Sequence, residues 1–277
     1  MTERTFANHL EQFDYEDLFT DLMKSEQRSV AWRAYYGPRA DYTYPDPADK
    51  VQASWPEVSL SDIPLQQVHH DVRLVDCLRA RQSNVLSAMG EPWHLYDLAA
   101  LLSLAAGERG QTKTINHSDA SEAADVSMRT YPSGGALYPV DLYIYVRDVS
   151  DLAKGFYMYV AERQALYQIR EEITESELAG LFPMTTFQMD ANNSFDNTAF
   201  IVMLVANLEH SFPKYGRLSH QLALIEAGHI GQNLQLVATS MGKHSLPSCG
   251  YFADKIAEML CVGKNMYKHI VYCMFLG

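Results

Sequence analysis

Lys214 and Tyr215, adjacent in FPKYG, pair an ammonium with a phenol. A tyrosine of ordinary pKa near ~10 is a poor base at neutral pH. A nearby ammonium favours its phenolate, and desolvation lowers the pKa of the lysine, so either residue can be brought towards accepting a proton. On its own the pair reads more readily as a surface lysine beside a packing tyrosine, a common pairing on any chain. RTYPSGGALYP (129–139) poses a second alternative. Its glycines permit positive φ and let backbone N–H groups approach a ligand, or they make a tight turn into a strand. Arg81 and Ser83, flanking Gln82, can grip a phosphate through charge-assisted hydrogen bonds, or they form a solvated helix end. Gln232 and Asn233 lie on a long helical stretch as amides that meet a ligand, cap packed glycines or bond across an interface. Ser248, Cys249 and Gly250 form a small polar turn, in which Cys249 also reads as a small apolar residue.

The ten histidines have no metal-ligand spacing, and no metal site is expected. His210 stands near the Lys-Tyr pair but reads more readily as a surface or hydrogen-bonded histidine. Cys77, Cys249, Cys261 and Cys273 are scattered without a C-x-x-C, against a zinc site or disulfide framework. A G-x-G-x-x-G dinucleotide fingerprint is absent.

The elements that must position these residues are readable in outline. Residues 1–28 have helical spacing, and 36–66, with prolines at 38, 45, 47, 56 and 64, form an extended aromatic arm. Val72, Val75 and Leu78 start a helix. WHLYDLAALLSLAAG predicts a helix whose buried face carries Leu95, Leu98, Leu101, Leu102 and Ala105, closed by Gly107. Residues 108–128 are polar and read as a loop. DLYIYVR is a strand, GFYMYVAERQALYQI a hairpin turning at 161–164, and Thr174 with Glu177 a capping box. AFIVMLVAN and HIVYCMFLG are buried strands. Leu218, Leu222, Ile225, Ile230, Leu234, Val237 and Met241 trace one face of a long helix. Within it Gly228 and Gly231 cost stability and imply close packing. KHSLPSCG reads as a loop, and YFADKIAEMLCVG as a helix. Strands and helices mix without a βαβ repeat, giving an α+β fold with a largely antiparallel central sheet flanked by helices.

With 47% hydrophobic residues the 277-residue chain can bury a substantial core. A net charge of -12 argues against nucleic-acid partners. The charged amino-terminal stretch has no apolar signal core and no segment is long enough to span a membrane, so the expected setting is cytoplasmic.

PSGGALYPVDLYIYV, GFYMYVAERQAL and EAGHIGQNLQLVATSMG, in that order, resemble the SagB/McbC-type azoline dehydrogenases, a branch of the FMN-dependent nitroreductase superfamily. LVDCLRARQSNV resembles that superfamily's opening helix. The resemblance covers residues 65–277, an FMN-binding domain, with 1–64 as a separate helical and Pro/aromatic-rich arm. It implies a nitroreductase-like fold in a domain-entwined homodimer with FMN at the interface. It further implies oxidation of thiazoline or oxazoline rings to thiazole or oxazole in a ribosomally synthesised precursor peptide. Lys214 and Tyr215 match the family's base pair. Arg81, Gln82, Ser83, Pro132, Ser133, Gly134, Gly135, Gln232, Asn233, Ser248, Cys249 and Gly250 match its cofactor-binding elements. Aromatising an azoline removes a proton from the ring carbon next to the peptide carbonyl and a hydride from its neighbour. The resemblance implies that flavin accepts the hydride and dioxygen reoxidises it. Two positions depart from many nitroreductases: Val85 stands where a basic residue is common, and Cys249 where Glu is common. The alternatives are an NAD(P)H-dependent nitro- or quinone reductase, an oxidase of synthetase-tethered thiazolines, and a non-catalytic scaffold beside a cyclodehydratase, with the 36–66 arm as a contact surface.

Overall fold

The computed structural model describes residues 50–63, 72–115, 124–183 and 195–277. The helix expected over 1–28 and most of the 36–66 arm lie outside the described residues.

The described chain begins with a strand, β1 (Glu57–Ser59), then a short helix, α1 (Leu74–Ala80), and a 12-residue helix, α2 (Leu95–Ala106). A hairpin of β2 (Glu108–Ile115) and β3 (Ala124–Arg129) follows. Next come β4 (Val140–Val146), β5 (Gly155–Val160), β6 (Ala165–Glu171) and α3 (Glu175–Ala179). β7 (Phe200–Asn207), α4 (Phe212–Tyr215), the 23-residue α5 (Leu218–Ser240), β8 (Ser245–Ser248), α6 (Ala253–Met259) and β9 (Lys268–Leu276) complete the order. Among the described residues no helix is long and apolar enough to cross a membrane.

Seven strands form one sheet in the order β1-β6-β5-β4-β7-β9-β8, every neighbour antiparallel. Both faces are covered, which is why β4, β5 and β7 are buried throughout and mostly apolar rather than alternating, with Asp141 and Asn207 as the polar exceptions. Leu142, Ile144, Val202 and Leu204 point to the side covered by α2 and α5, where Leu98, Leu101, Leu102, Ile230 and Leu234 are buried. Tyr143, Tyr145, Met203 and Phe275 point to the other side, against Leu178 of α3 and Ile256 of α6. Each such side chain contributes roughly 1.5–3 kcal/mol on burial. The capping box at Thr174 is present, with Glu177 Oε2 accepting the Thr174 N–H at 2.8 Å. Gln164 takes the left-handed conformation that closes the β5–β6 hairpin.

Three readings are corrected. Residues 108–115 and 124–129 are paired antiparallel strands in a sheet separate from the main one, not a loop. These strands are polar because much of their surface meets solvent. SLPS within KHSLPSCG is a strand, β8, paired with β9. The buried face of α5 keeps only Ile230 and Leu234 of the expected stripe fully buried and is completed by small residues, Ser219, Ala223, Ala227 and Ala238, while Ile225 is exposed. Small residues let α5 lie close to the sheet: a Cβ on Gly231 would come within 2.6 Å of the Tyr272 ring. Gly228, in contrast, has nothing within 4 Å of such a Cβ. The helix expected near Val72 is α1, but Val72, Val75 and Leu78 face outward with Leu74, and only Cys77 is buried.

Candidate active site

α5 is the hub of the site. It packs against α1, α2, α4, β4, β7, β8 and β9, and so gathers segments far apart in sequence. The 131–139 loop lies over its first half, where a Cβ on Gly134 would touch Leu222 at 3.0 Å.

Pro132 and the two glycines give that loop its shape. Gly134–Ala136 make one 3-10 turn. Gly135 has φ +66°, Ala136 +54° and Tyr138 +48°. For the two residues with side chains this conformation costs on the order of 1–3 kcal/mol each and must be held by the surroundings. Several bonds hold it. The Tyr138 N–H donates to Ser133 Oγ at 3.0 Å, and the Asn207 N–H to the Pro139 carbonyl at 2.6 Å. The Val140 N–H donates to Glu226 Oε1 at 3.1 Å. Behind the loop, buried Arg129 donates to Tyr131 Oη at 2.8 Å, pairs with Glu162, and lies 4.7 Å above the Tyr138 ring. Burial works against its charge, but Tyr131 and Glu162 outweigh this and hold the guanidinium firmly protonated. Burial pushes the Tyr131 phenol well above its ordinary range. Arg129 and Tyr131 therefore anchor the loop.

Lys214 and Tyr215 occupy α4, a single turn started by Pro213 and ended by Gly216 at φ +54°. They converge on Gly135. A Cβ there would overlap the Tyr215 hydroxyl and stand 3.2 Å from Lys214 Nζ. The Lys214 ammonium lies 5.4 Å from the Tyr215 ring centroid, and burial lowers its pKa. The structure thus joins the glycine loop to the Lys-Tyr pair, about 80 residues apart in sequence, within one protomer.

The remaining expected positions are held by contacts of their own or lie exposed. Arg81 caps α1 through its N–H to the Cys77 carbonyl at 2.8 Å, and Gln82 and Ser83 are exposed. Asn84 ties this segment to β8: its N–H donates to the Ser245 carbonyl at 2.9 Å, and its Oδ1 accepts the Ser245 N–H at 3.2 Å. At the far end of β8, Ser248 Oγ accepts the Gly250 N–H at 2.9 Å, and Cys249 is exposed. Gln232 is exposed, whereas Asn233 Nδ2 donates to the Ala105 carbonyl at 3.1 Å and lies 3.5 Å from the Thr130 carbonyl. Asn233 thus ties α2 to the root of the loop.

Sequence reasoning missed Glu226. Its side chain is 1% exposed on α5, beneath the loop. A carboxylate in register with Ala223, Ala227 and Ile230 on a buried helix face was the available signal.

Comparison with known proteins bears on this arrangement. The profile of the Nitroreductase family matches residues 95–277. A Methanocaldococcus jannaschii protein carrying the nitroreductase name is 30% identical over 207 residues, covering 74% of this chain and 89% of its own. The microcin B17-processing protein McbC of Escherichia coli is 24% identical over 151 residues, 53% of each chain. Among solved structures, a chain of the E. coli microcin synthetase McbBCD complex with truncated pro-MccB17 bound superposes with a TM-score of 0.54. It is 19% identical, and the match covers 97% of this chain and 96% of that one.

Proposed function

The chain belongs to the nitroreductase family, and from that premise we propose that it is an FMN-dependent azoline dehydrogenase, oxidising thiazoline or oxazoline rings in a ribosomally made precursor peptide to thiazole or oxazole. Its fold is the α+β nitroreductase fold, and the coarser class is a nitroreductase-superfamily oxidoreductase. The observation that carries the finer reading is the convergence of Lys214 and Tyr215 on Gly135. The likeness to McbC, whose name is for microcin B17 processing, supports the peptide substrate.

Members of the family generally use FMN. The residues present fit it. Arg81 and Ser83 offer a cation and a hydroxyl to a phosphate. Gly134 and Gly135 offer backbone amides in a loop whose side-chain positions are taken by Leu222 and by the Lys214-Tyr215 pair. Gln232, Cys249 and Gly250 complete the candidate binding set. Bound FMN supplies a two-electron acceptor for hydride. Lys214 or Tyr215 takes the proton from the ring carbon next to the peptide carbonyl, the lysine with its pKa already lowered by burial. The exposed apolar residues of α1 and α5 support a homodimer, and the likeness to a chain of the McbBCD complex supports work beside a cyclodehydratase.

The test is to incubate purified, FMN-loaded protein with an azoline-containing peptide and weigh the product. A loss of two hydrogens per ring is expected. No azole on any azoline peptide, with the cyclodehydratase present, would overturn the reading. A second reading, an NAD(P)H-dependent nitro- or quinone reductase, is favoured by the M. jannaschii relative's name. Rapid NAD(P)H consumption with a nitroaromatic would select it.

A further inference from the structure

Glu226 makes contacts that the chemistry above does not use. Its Oε1 accepts the Val140 N–H, at the downstream end of the strained loop. Its Oε2 is buried without a hydrogen bond of its own, and the Ser133 hydroxyl favours the ionised form of the carboxyl. Ser133 Oγ in turn accepts the Tyr138 N–H. One carboxyl on α5 therefore faces both ends of the segment that carries Gly135, Ala136 and Tyr138 at positive φ.

We propose that Glu226 is a positioning residue, clasping the two ends of the 133–140 loop so that Gly135 stays seated against Tyr215 and Lys214. Its link to turnover rests on the azoline dehydrogenase reading, but the clasp itself does not. Burial raises the Glu226 pKa to about 7, against the lowering effects of Ser133, the Val140 N–H, Arg129 and Lys50. Arg129 at the end of β3, Lys50 from the amino-terminal side and the Tyr131 phenol are the charged and titratable groups that face it. The sign follows. The folded-state pKa lies above the ordinary glutamate value near ~4.3. The folded protein therefore binds the extra proton between those values, and its stability falls as pH rises through about 7.

The experiment compares the wild type with Glu226→Gln and Ser133→Ala. Glutamine keeps the shape and the acceptor for Val140 but cannot ionise. Melting temperatures of the cofactor-free proteins are measured from pH 5 to 9, and FMN dissociation constants by fluorescence quenching over the same range. Expected is a fall in wild-type melting temperature from pH 5 to about 7 that levels off above it, its loss in Glu226→Gln, and its extension to higher pH in Ser133→Ala. FMN binding in a Glu226→Ala variant, which removes the acceptor for Val140, should weaken about tenfold, with kcat on an azoline peptide falling more than KM changes. Melting profiles that run parallel in wild type and Glu226→Gln, or unchanged FMN affinity in Glu226→Ala, overturn the clasp. If the wild type binds no FMN, the flavin reading fails and the melting profiles alone decide: a missing loss between pH 5 and 7 in Glu226→Gln sustains the clasp, and parallel profiles overturn it.

Discussion

A methyl group on Gly135 would have to enter the space of the Tyr215 hydroxyl while the backbone kept φ at +66°. Gly135→Ala should therefore cost about 1–3 kcal/mol in thermal unfolding, and it should disturb turnover because the displaced group is the candidate base. Lys214→Ala and Tyr215→Phe act differently. Neither removes a packing contact in the core, so both proteins should purify yellow while azole formation falls about 10²–10⁴-fold. Normal turnover in both would sink the base assignment. Gly135 was legible from the unusual spacing of its loop, and Lys214 and Tyr215 only through the family resemblance, since a lysine beside a tyrosine is a common pairing. Glu226 and Arg129 were not, because what gives each its role is distant in sequence: Val140 for one, Glu162 for the other. A buried charge announces itself only through its partners, and a single sequence does not say which charges are buried.

At the scale of elements, continuous apolar runs and capping residues were the readable signals. β4, β7 and β9, the α2 face and the Thr174 cap follow directly from them. The β2–β3 hairpin was not readable, since ERGQTKTI has no apolar alternation and its register shifts between Glu108 and Thr112. β8 is four residues long and contains Pro247, which suits a strand at the edge of a sheet but looks like a loop in sequence. The α5 face was misplaced because alanine, serine and glycine carry little hydrophobic signal, yet they are what allows close approach to the sheet. The β5–β6 turn has a further task. It carries Glu162 to the buried Arg129 behind the glycine loop. Glu162→Gln leaves that guanidinium without its counter-charge and should cost about 3 kcal/mol by chemical denaturation, the low end for a buried pair because Glu162 is partly exposed. Burial raises the Glu162 pKa, but Arg129 outweighs it and the net shift is downward. The stability from this pair is thus present above the ordinary glutamate pKa and lost as pH falls through the folded-state value. Glu162→Gln should show a correspondingly smaller acid-side loss in a melting series.

For the whole molecule, we propose that a second copy covers the exposed apolar residues of two neighbouring helices. Leu74, Val75 and Leu78 project from α1, and Leu224 and Ile225 from α5, which packs against α1. A dimer of twice 31.3 kDa is expected by light scattering, and Leu78→Glu should shift it towards monomer and weaken FMN retention. A Leu78→Glu protein that stays dimeric would move the interface elsewhere. The order of the sheet carries a consequence for synthesis. β9 lies between β7 and β8, so β7 has an open flank until residue 276 leaves the ribosome. Residues 207 to 276 take roughly 3–14 s to translate at ~5–20 residues per second. Through that interval a wholly apolar strand waits for its neighbour, and a chaperone that shields it would set how much protein reaches the folded state.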